Sequence, residues 1–201
     1  MIKNFFEIKN VTFSIGGKDK VNDVNISIEN EGDIICILGP SGIGKTTMLR
    51  TIAGLEKINK GQIILKEKII SSDNIHIEPE QRNIALSFQE NSLFPHYTVD
   101  KNIHLGIKKK SKNSKNIDSK EIIKILNIED ILNKYPHQIS AGESQRASLA
   151  RSLISHPDLL LLDEPLSNVD QSFKEDIQVA LKQLLNKNKI TTIVVTHDSY
   201  E

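Results

Sequence analysis

The run Gly39-Pro40-Ser41-Gly42-Ile43-Gly44-Lys45-Thr46 sets glycines, a lysine and a hydroxyl at the spacing G-x-x-x-x-G-K-[ST], a combination that can hold phosphate. Glycines let successive backbone N–H groups turn inward onto a β-phosphate, where side chains would stand in the way. Lys45 can reach the β- and γ-phosphates, and the Thr46 hydroxyl can ligate Mg²⁺. Phosphate contacts are therefore expected from this whole run together with Thr47. A second set of reactive groups lies in Leu159-Leu160-Leu161-Leu162-Asp163-Glu164-Pro165, where two carboxylates follow four leucines. Asp163 can hold Mg²⁺, directly or through water, and Glu164 can polarise or deprotonate an attacking water. His197, in Thr196-His197-Asp198, follows another apolar stretch and can hydrogen-bond a γ-phosphate. Two acids after an apolar run also describe the polar end of any buried strand. The phosphate loop on the same chain makes phosphoryl transfer to water the chemistry to expect.

These groups need elements to position them. Ile34 to Leu38 is a continuous apolar run ending at Gly39, which predicts a strand buried on both faces of a parallel sheet, with Cys36 as a small buried hydrophobe. Lys45 to Ala53 reads as the helix that presents its positive N-terminal end to the anion. Leu159 to Leu162 and Ile190 to Val195 read as strands, which puts Asp163, Glu164 and His197 at strand ends, where ligands of open α/β sheets bind. Phe6, Ile8, Val11 and Phe13, then Val24, Ile26 and Ile28, predict an antiparallel section joined by a Gly16-Gly17 turn, continued by β-rich sequence from Gly61 to Ile70. Ile84 to Phe88 reads as one more short strand. Helices are expected from Glu143 to Ser155 and from Asp170 to Leu185. A helical pattern at Ile122, Ile123, Leu126 and Ile128 follows the polar stretch Lys108 to Lys120, read as a solvated connection. Strands alternating with helices imply an α/β core with a mostly parallel sheet.

The chain has 201 residues, 38% hydrophobic and 26% charged, the composition of a folded globular protein. Lys plus Arg and Asp plus Glu number 26 each, so no basic field favours nucleic acid as a partner. The longest apolar runs fall far short of the roughly 20 residues of a membrane-spanning helix, so a membrane link is expected through a partner. Residues 1 to 10 lack the pattern of a secretion signal, which points to the cytoplasm.

Two further segments narrow the family. Ile139-Ser140-Ala141-Gly142-Glu143-Ser144-Gln145-Arg146 and the run on to Leu153 resemble the LSGGQ signature of ATP-binding cassette proteins and the helix that follows it. Phe88-Gln89, with Asn91 to Val99, looks like that family's Q-loop, and Leu166-Ser167-Asn168-Val169-Asp170 resembles its D-loop. The motifs stand in family order from about Val11 to Asp198. The resemblance implies one ATPase domain over 1–201, with a core from 1–88 and 156–201 around a helical subdomain of about 89–155. It implies that ATP is sandwiched between the phosphate loop of one chain and the Ser140, Ala141, Gly142, Glu143 segment of a second copy, with Asp170 nearby. Gln89 would join the Mg²⁺ and the attacking water, and Ile15 would sit where adenine packs. The implied partners are transmembrane permease subunits and, indirectly, a solute-binding protein. The place is the cytoplasmic face of a membrane. The 88–99 stretch looks most like importers of sugars, polyamines, iron, molybdate or thiamine. Non-transport cassettes of DNA repair carry long coiled coils, and translation-associated ones carry two cassettes; neither feature occurs here.

The chain departs from the family pattern in three places. Ile15 stands where an aromatic residue usually stacks on adenine, so apolar contact remains without π-stacking. Ala141 replaces the first signature glycine, and Glu143 replaces the glutamine, which brings a negative charge towards phosphate and is expected to weaken dimer closure. The chain ends at Glu201, soon after the histidine, whereas typical transporter cassettes continue; a minimal subunit and a truncated one both fit.

Overall fold

The computed structural model describes residues 4–15, 19–88, 92–105 and 118–197. Strands β1 (Phe6–Ile15), β2 (Asp19–Ile28), β4 (Lys60–Leu65) and β5 (Lys68–Ser72) form an antiparallel sheet in the order β2-β1-β4-β5. The buried set Phe6, Ile8, Val11 and Phe13 is not evenly spaced by two. The register against β2 shifts between Ile8 and Val11, and Asn10 adopts a left-handed backbone with φ 48°. This β-bulge returns Val11 and Phe13 to the buried face. The Gly16-Gly17 turn lies outside the described residues.

The second sheet is parallel and carries the chemistry. β3 (Ile34–Leu38), β6 (Ile84–Ser87), β7 (Leu159–Asp163) and β8 (Thr191–Thr196) run in the order β3-β8-β7-β6. β7 is buried along its length, and alternate leucines enter different cores. Leu159 and Leu161 pack with the antiparallel sheet and with Leu49 and Ile52 of α1 (Lys45–Ala53), while Leu160 and Leu162 join a helical core. That core is built by α2 (Val99–His104), α3 (Ser119–Ile125), α4 (Ala141–Ile154) and α5 (Gln171–Lys187). Two-sided cover of β7 anchors Asp163 and Glu164 at its end.

The sequence reading of β3 needs correction. Among the described residues β3 pairs only with β8, at the edge of its sheet, and Cys36 and Leu38 are exposed. An unbroken apolar run reports what a strand could bury, whereas its place in the sheet decides whether a layer covers it. α2 was not foreseen because its six residues are too few to display helical periodicity; Thr98 caps its N-terminus by accepting from the Lys101 N–H. The stretch 106–117, including most of the polar connection, lies outside the described residues. No helix among the described residues is long and apolar enough to cross a membrane.

Arg82, two residues before β6, links the end of α1 to β5. It is 3% exposed, and its guanidinium donates to the Thr51, Ile52 and Ile77 carbonyls and to Ser71 Oγ at 2.6 to 3.2 Å. Burial lowers its pKa to about 10, which still leaves it charged at neutral pH. A cation at the C-terminal carbonyls of α1 complements the negative end of that helix and ties it to β5, holding still the helix whose other end faces the cleft.

Candidate functional site

The loop between β3 and α1 reaches its shape through two left-handed glycines, Gly42 at φ 86° and Gly44 at φ 99°. A side chain is strained in that conformation, and Gly44 is the N-cap of α1, so its left-handed turn delivers Lys45 as the first helical residue. Lys45 is 9% exposed, and its Nζ donates to the Gly39 and Pro40 carbonyls, the latter at 2.9 Å. The ammonium is thus bent back over its own loop and placed where an incoming anion can draw it away. Ser41, Gly42, Gly44, Lys45, Thr46 and Thr47 line a cleft of about 230 Å³ whose far wall is Asp163 and Glu164. Whole small-molecule sites occupy roughly 300–1,000 Å³, so this cleft suits the phosphate end of a ligand. Ile43 is exposed on the loop.

Asp163 is buried, with the Thr46 hydroxyl close to its carboxyl. Burial pushes its pKa up, with the neighbouring Glu164 adding to the rise, while the Thr46 hydroxyl and the Lys45 charge pull it down. A desolvated carboxylate of this kind gains most from a cation. Among the described residues no group of three or more His, Cys, Asp and Glu could enclose a metal by itself. Thr46 and Asp163 offer two oxygens of the kind Mg²⁺ accepts, an ion that usually draws its other ligands from phosphate and water.

Glu164 follows directly, 7% exposed and in a left-handed backbone with φ 47°. Its N–H donates to the Val195 carbonyl at 2.9 Å, which locks the turn onto β8. One carboxylate oxygen lies 2.8 Å from His197 Nδ1. An ionised carboxylate only accepts, so with Nδ1 as the donor the neutral ring keeps Nε2 as its acceptor. The ends of β7 and β8, neighbours in the parallel sheet, are therefore joined by a side-chain hydrogen bond.

The Ser140 segment stands apart: no residue of 140–143 lines the cleft. Ser140 caps α4. Its Oγ accepts from the Glu143 N–H at 3.2 Å, and the Glu143 carboxylate accepts from the Ser140 N–H at 2.7 Å, a reciprocal capping box. The charge that Glu143 brings is thus spent on its own helix terminus. Gly142 is held by a close approach, because a Cβ there would sit 2.5 Å from the Asn168 carbonyl oxygen. That contact presses the start of α4 against the turn after β7, and Ala141, whose side chain is exposed, escapes it.

The capping bond, above all, holds the Glu143 carboxyl below its ordinary value of 4.5, with burial opposing. A carboxylate whose folded pKa is depressed stabilises fully above its unfolded pKa and loses that contribution as pH falls through the folded one. Glu143→Gln keeps an acceptor for the Ser140 N–H and does not titrate. It should therefore match wild type within about 0.5 kcal/mol near neutrality and lose less stability between about pH 5 and pH 3. Denaturant titrations at several pH values check this, and parallel acid profiles would exclude the role of the charge.

Of the other residues singled out, Gln89 lies outside the described residues. Ile15 closes β1, with its side chain outside them too. Asp170 precedes α5, is exposed, and makes no capping bond. One residue escaped the sequence reading. Gln145 is 2% exposed inside α4 and spans from the helix to the turn after β7. It sits in a stretch of small and polar residues, where no hydrophobic period could mark a buried side.

Residues 21–167 match the family model described as ABC transporter. The chain is 40% identical over 199 residues to an Fe(3+) ions import ATP-binding protein of Fusobacterium nucleatum, covering 95% of this chain and 53% of that one. It is 42% identical over 193 residues to a spermidine/putrescine import ATP-binding protein of Nitrosospira multiformis, covering 95% and 52%. The chain thus spans about half the length of the curated relatives it matches. Among solved structures, the dimeric ATP-binding cassette MJ0796 bound to ADP and Pi superposes with a TM-score of 0.78 at 30% identity, over 96% of this chain and 88% of that one. The cbiO1 component of an ABC transporter complex from Clostridium perfringens gives 0.77 at 26% identity, over 97% and 79%.

Proposed function

The chain belongs to the ABC transporter family of ATP-binding domains, and from that premise we propose that it binds ATP with Mg²⁺ and hydrolyses it to drive a membrane importer. The observation that carries this reading is the single cleft in which Lys45 and Thr46 face Asp163 and Glu164, with His197 bonded to Glu164.

In this reading the phosphate loop and the N-terminus of α1 bind the triphosphate, and Lys45 exchanges the Gly39 and Pro40 carbonyls for β- and γ-oxygens. Thr46 and Asp163 hold the metal, whose chemistry is to neutralise charge on the phosphates. Glu164 orients and deprotonates the water, His197 steadies that carboxylate and reaches the γ-phosphate, and Gln89 takes part from the start of the helical portion. The core, 1–88 and 156–201, and the helical portion act as one ATPase unit.

A second copy completes the site. Its Ser140 hydroxyl and the Gly142 N–H, at the positive end of α4, meet the γ-phosphate. Loss of that phosphoryl group removes the bridge and loosens the pair. Ile15 offers adenine an apolar surface, and Asp170 lies at the seam. The work is done against transmembrane permease subunits at the cytoplasmic face of the membrane, with a solute-binding protein engaged indirectly and without nucleic acid. The relatives' names, Fe(3+) and spermidine/putrescine import, support the importer reading. Affinity purification from membranes of the native host tests it: a polytopic membrane protein should accompany the chain in amounts that depend on ATP. Recovery of ribosomes or DNA in its place would overturn the transport assignment.

A further inference from the structure

One buried side chain links the α4 helix to the turn that bears Glu164. Gln145 Nε2 donates to the Glu164 carbonyl at 2.9 Å and to Ser167 Oγ at 3.1 Å, and its Oε1 accepts from the Asn168 N–H at 3.0 Å. All three contacts end within the five residues 164–168. An amide buried in a core is costly unless its donor and acceptor are both used, and here both are used on this one turn. The turn needs holding. Glu164 adopts a left-handed backbone that a residue with a side chain keeps only when its surroundings impose it, and its carboxylate must still aim at the cleft. β8 restrains the turn from one side through the Val195 carbonyl, and Gln145 restrains it from the other. Gly142, three residues earlier on the same helix, lies against the Asn168 carbonyl, so the turn and the start of α4 are in contact at two points.

We propose that Gln145 is a positioning residue: it holds the backbone of Glu164 so that the carboxylate meets the attacking water, and it ties that aim to the helix whose N-terminus serves the opposite nucleotide. This rests on the ATPase reading above. Its consequence is a selective loss. Gln145→Met keeps volume and apolar packing while removing every bond to the turn. Misplacing a reacting group by a fraction of an ångström to 1 Å costs about ten- to a hundredfold in rate, so kcat should fall by that factor while the ATP dissociation constant changes less than about twofold.

The test uses the full chain, with radiolabelled ATP binding, single-turnover hydrolysis and thermal unfolding measured on wild type, Gln145→Met, Glu164→Gln and the double variant. Because Gln145 acts through Glu164, Gln145→Met should cost nothing further in the Glu164→Gln background. Gln145→Glu is the second variant: it retains an acceptor for Asn168 but no donor for the Glu164 carbonyl, and its kcat should fall as well. Wild-type kcat in either folded variant would overturn the inference. So would an equal fall in the Glu164→Gln background, which is the signature of a general loss of structure. A wild-type chain that neither binds nor hydrolyses ATP would sink the ATPase reading itself, an outcome separate from these.

Discussion

Glu164→Gln should bind ATP about as tightly as wild type and hydrolyse it roughly 10²- to 10⁴-fold more slowly, the range over which a positioned general base contributes. The substitution is nearly isosteric, and an amide oxygen can still accept from His197 Nδ1, so the turn and its partner across β8 should persist. What disappears is the ability to take a proton from water. Lys45, Thr46 and the glycines on the opposite wall are untouched, so the grip on phosphate survives. Equilibrium binding of labelled ATP alongside single-turnover phosphate release separates the two effects. Wild-type turnover would remove Glu164 from the chemistry, and a parallel loss of binding would show that its charge serves the cleft in another way.

Lys45→Ala should fail at the earlier step. One charge-assisted hydrogen bond to phosphate is worth about 1.5–3 kcal/mol, so the dissociation constant for ATP should rise about 10- to 150-fold, and turnover at saturating ATP should fall too. The fold should tolerate the change, because the carbonyls of Gly39 and Pro40 that Lys45 engages lie on a loop open to water. Lys45→Arg should not restore affinity. A planar guanidinium replaces a compact ammonium at a position only 9% exposed, where the loop closes around the side chain. Calorimetric titration with ATP, with thermal unfolding as the control, reads the effect. An unchanged dissociation constant would place the anion elsewhere.

The strands and helices that carry the cleft were legible because each has a strong local signal. Lys45–Ala53 was read at its observed bounds, and the acidic pair falls at the end of a strand whose leucines announce burial. The antiparallel section was legible as well, although its uneven spacing concealed the bulge at Asn10. The misreading of β3 and Cys36 had one source: apolar content is a property of the segment, while edge position is a property of the assembled sheet. Glu143 is the opposite case. Sequence comparison presented it as a charge added near phosphate, and the structure turns that charge back onto Ser140, because the two residues are three apart on one helix start.

By itself the sequence determined the chemistry on offer: a phosphate loop, two carboxylates after an apolar strand, a histidine after another, and a segment from Ile139 to Leu153 that resembles the signature and its helix. Residue types and short spacings suffice for this, since each motif is local and its backbone conformation follows from neighbours in the chain. Only the tertiary structure decided that Asp163 faces Thr46 in one cleft, that His197 bonds to Glu164, and that Gln145 reaches the turn after β7. Those pairs lie 19 to 117 residues apart along the chain. Their meeting depends on the parallel order of β3, β8, β7 and β6, which brings strand ends together through packing energies summed over the whole core.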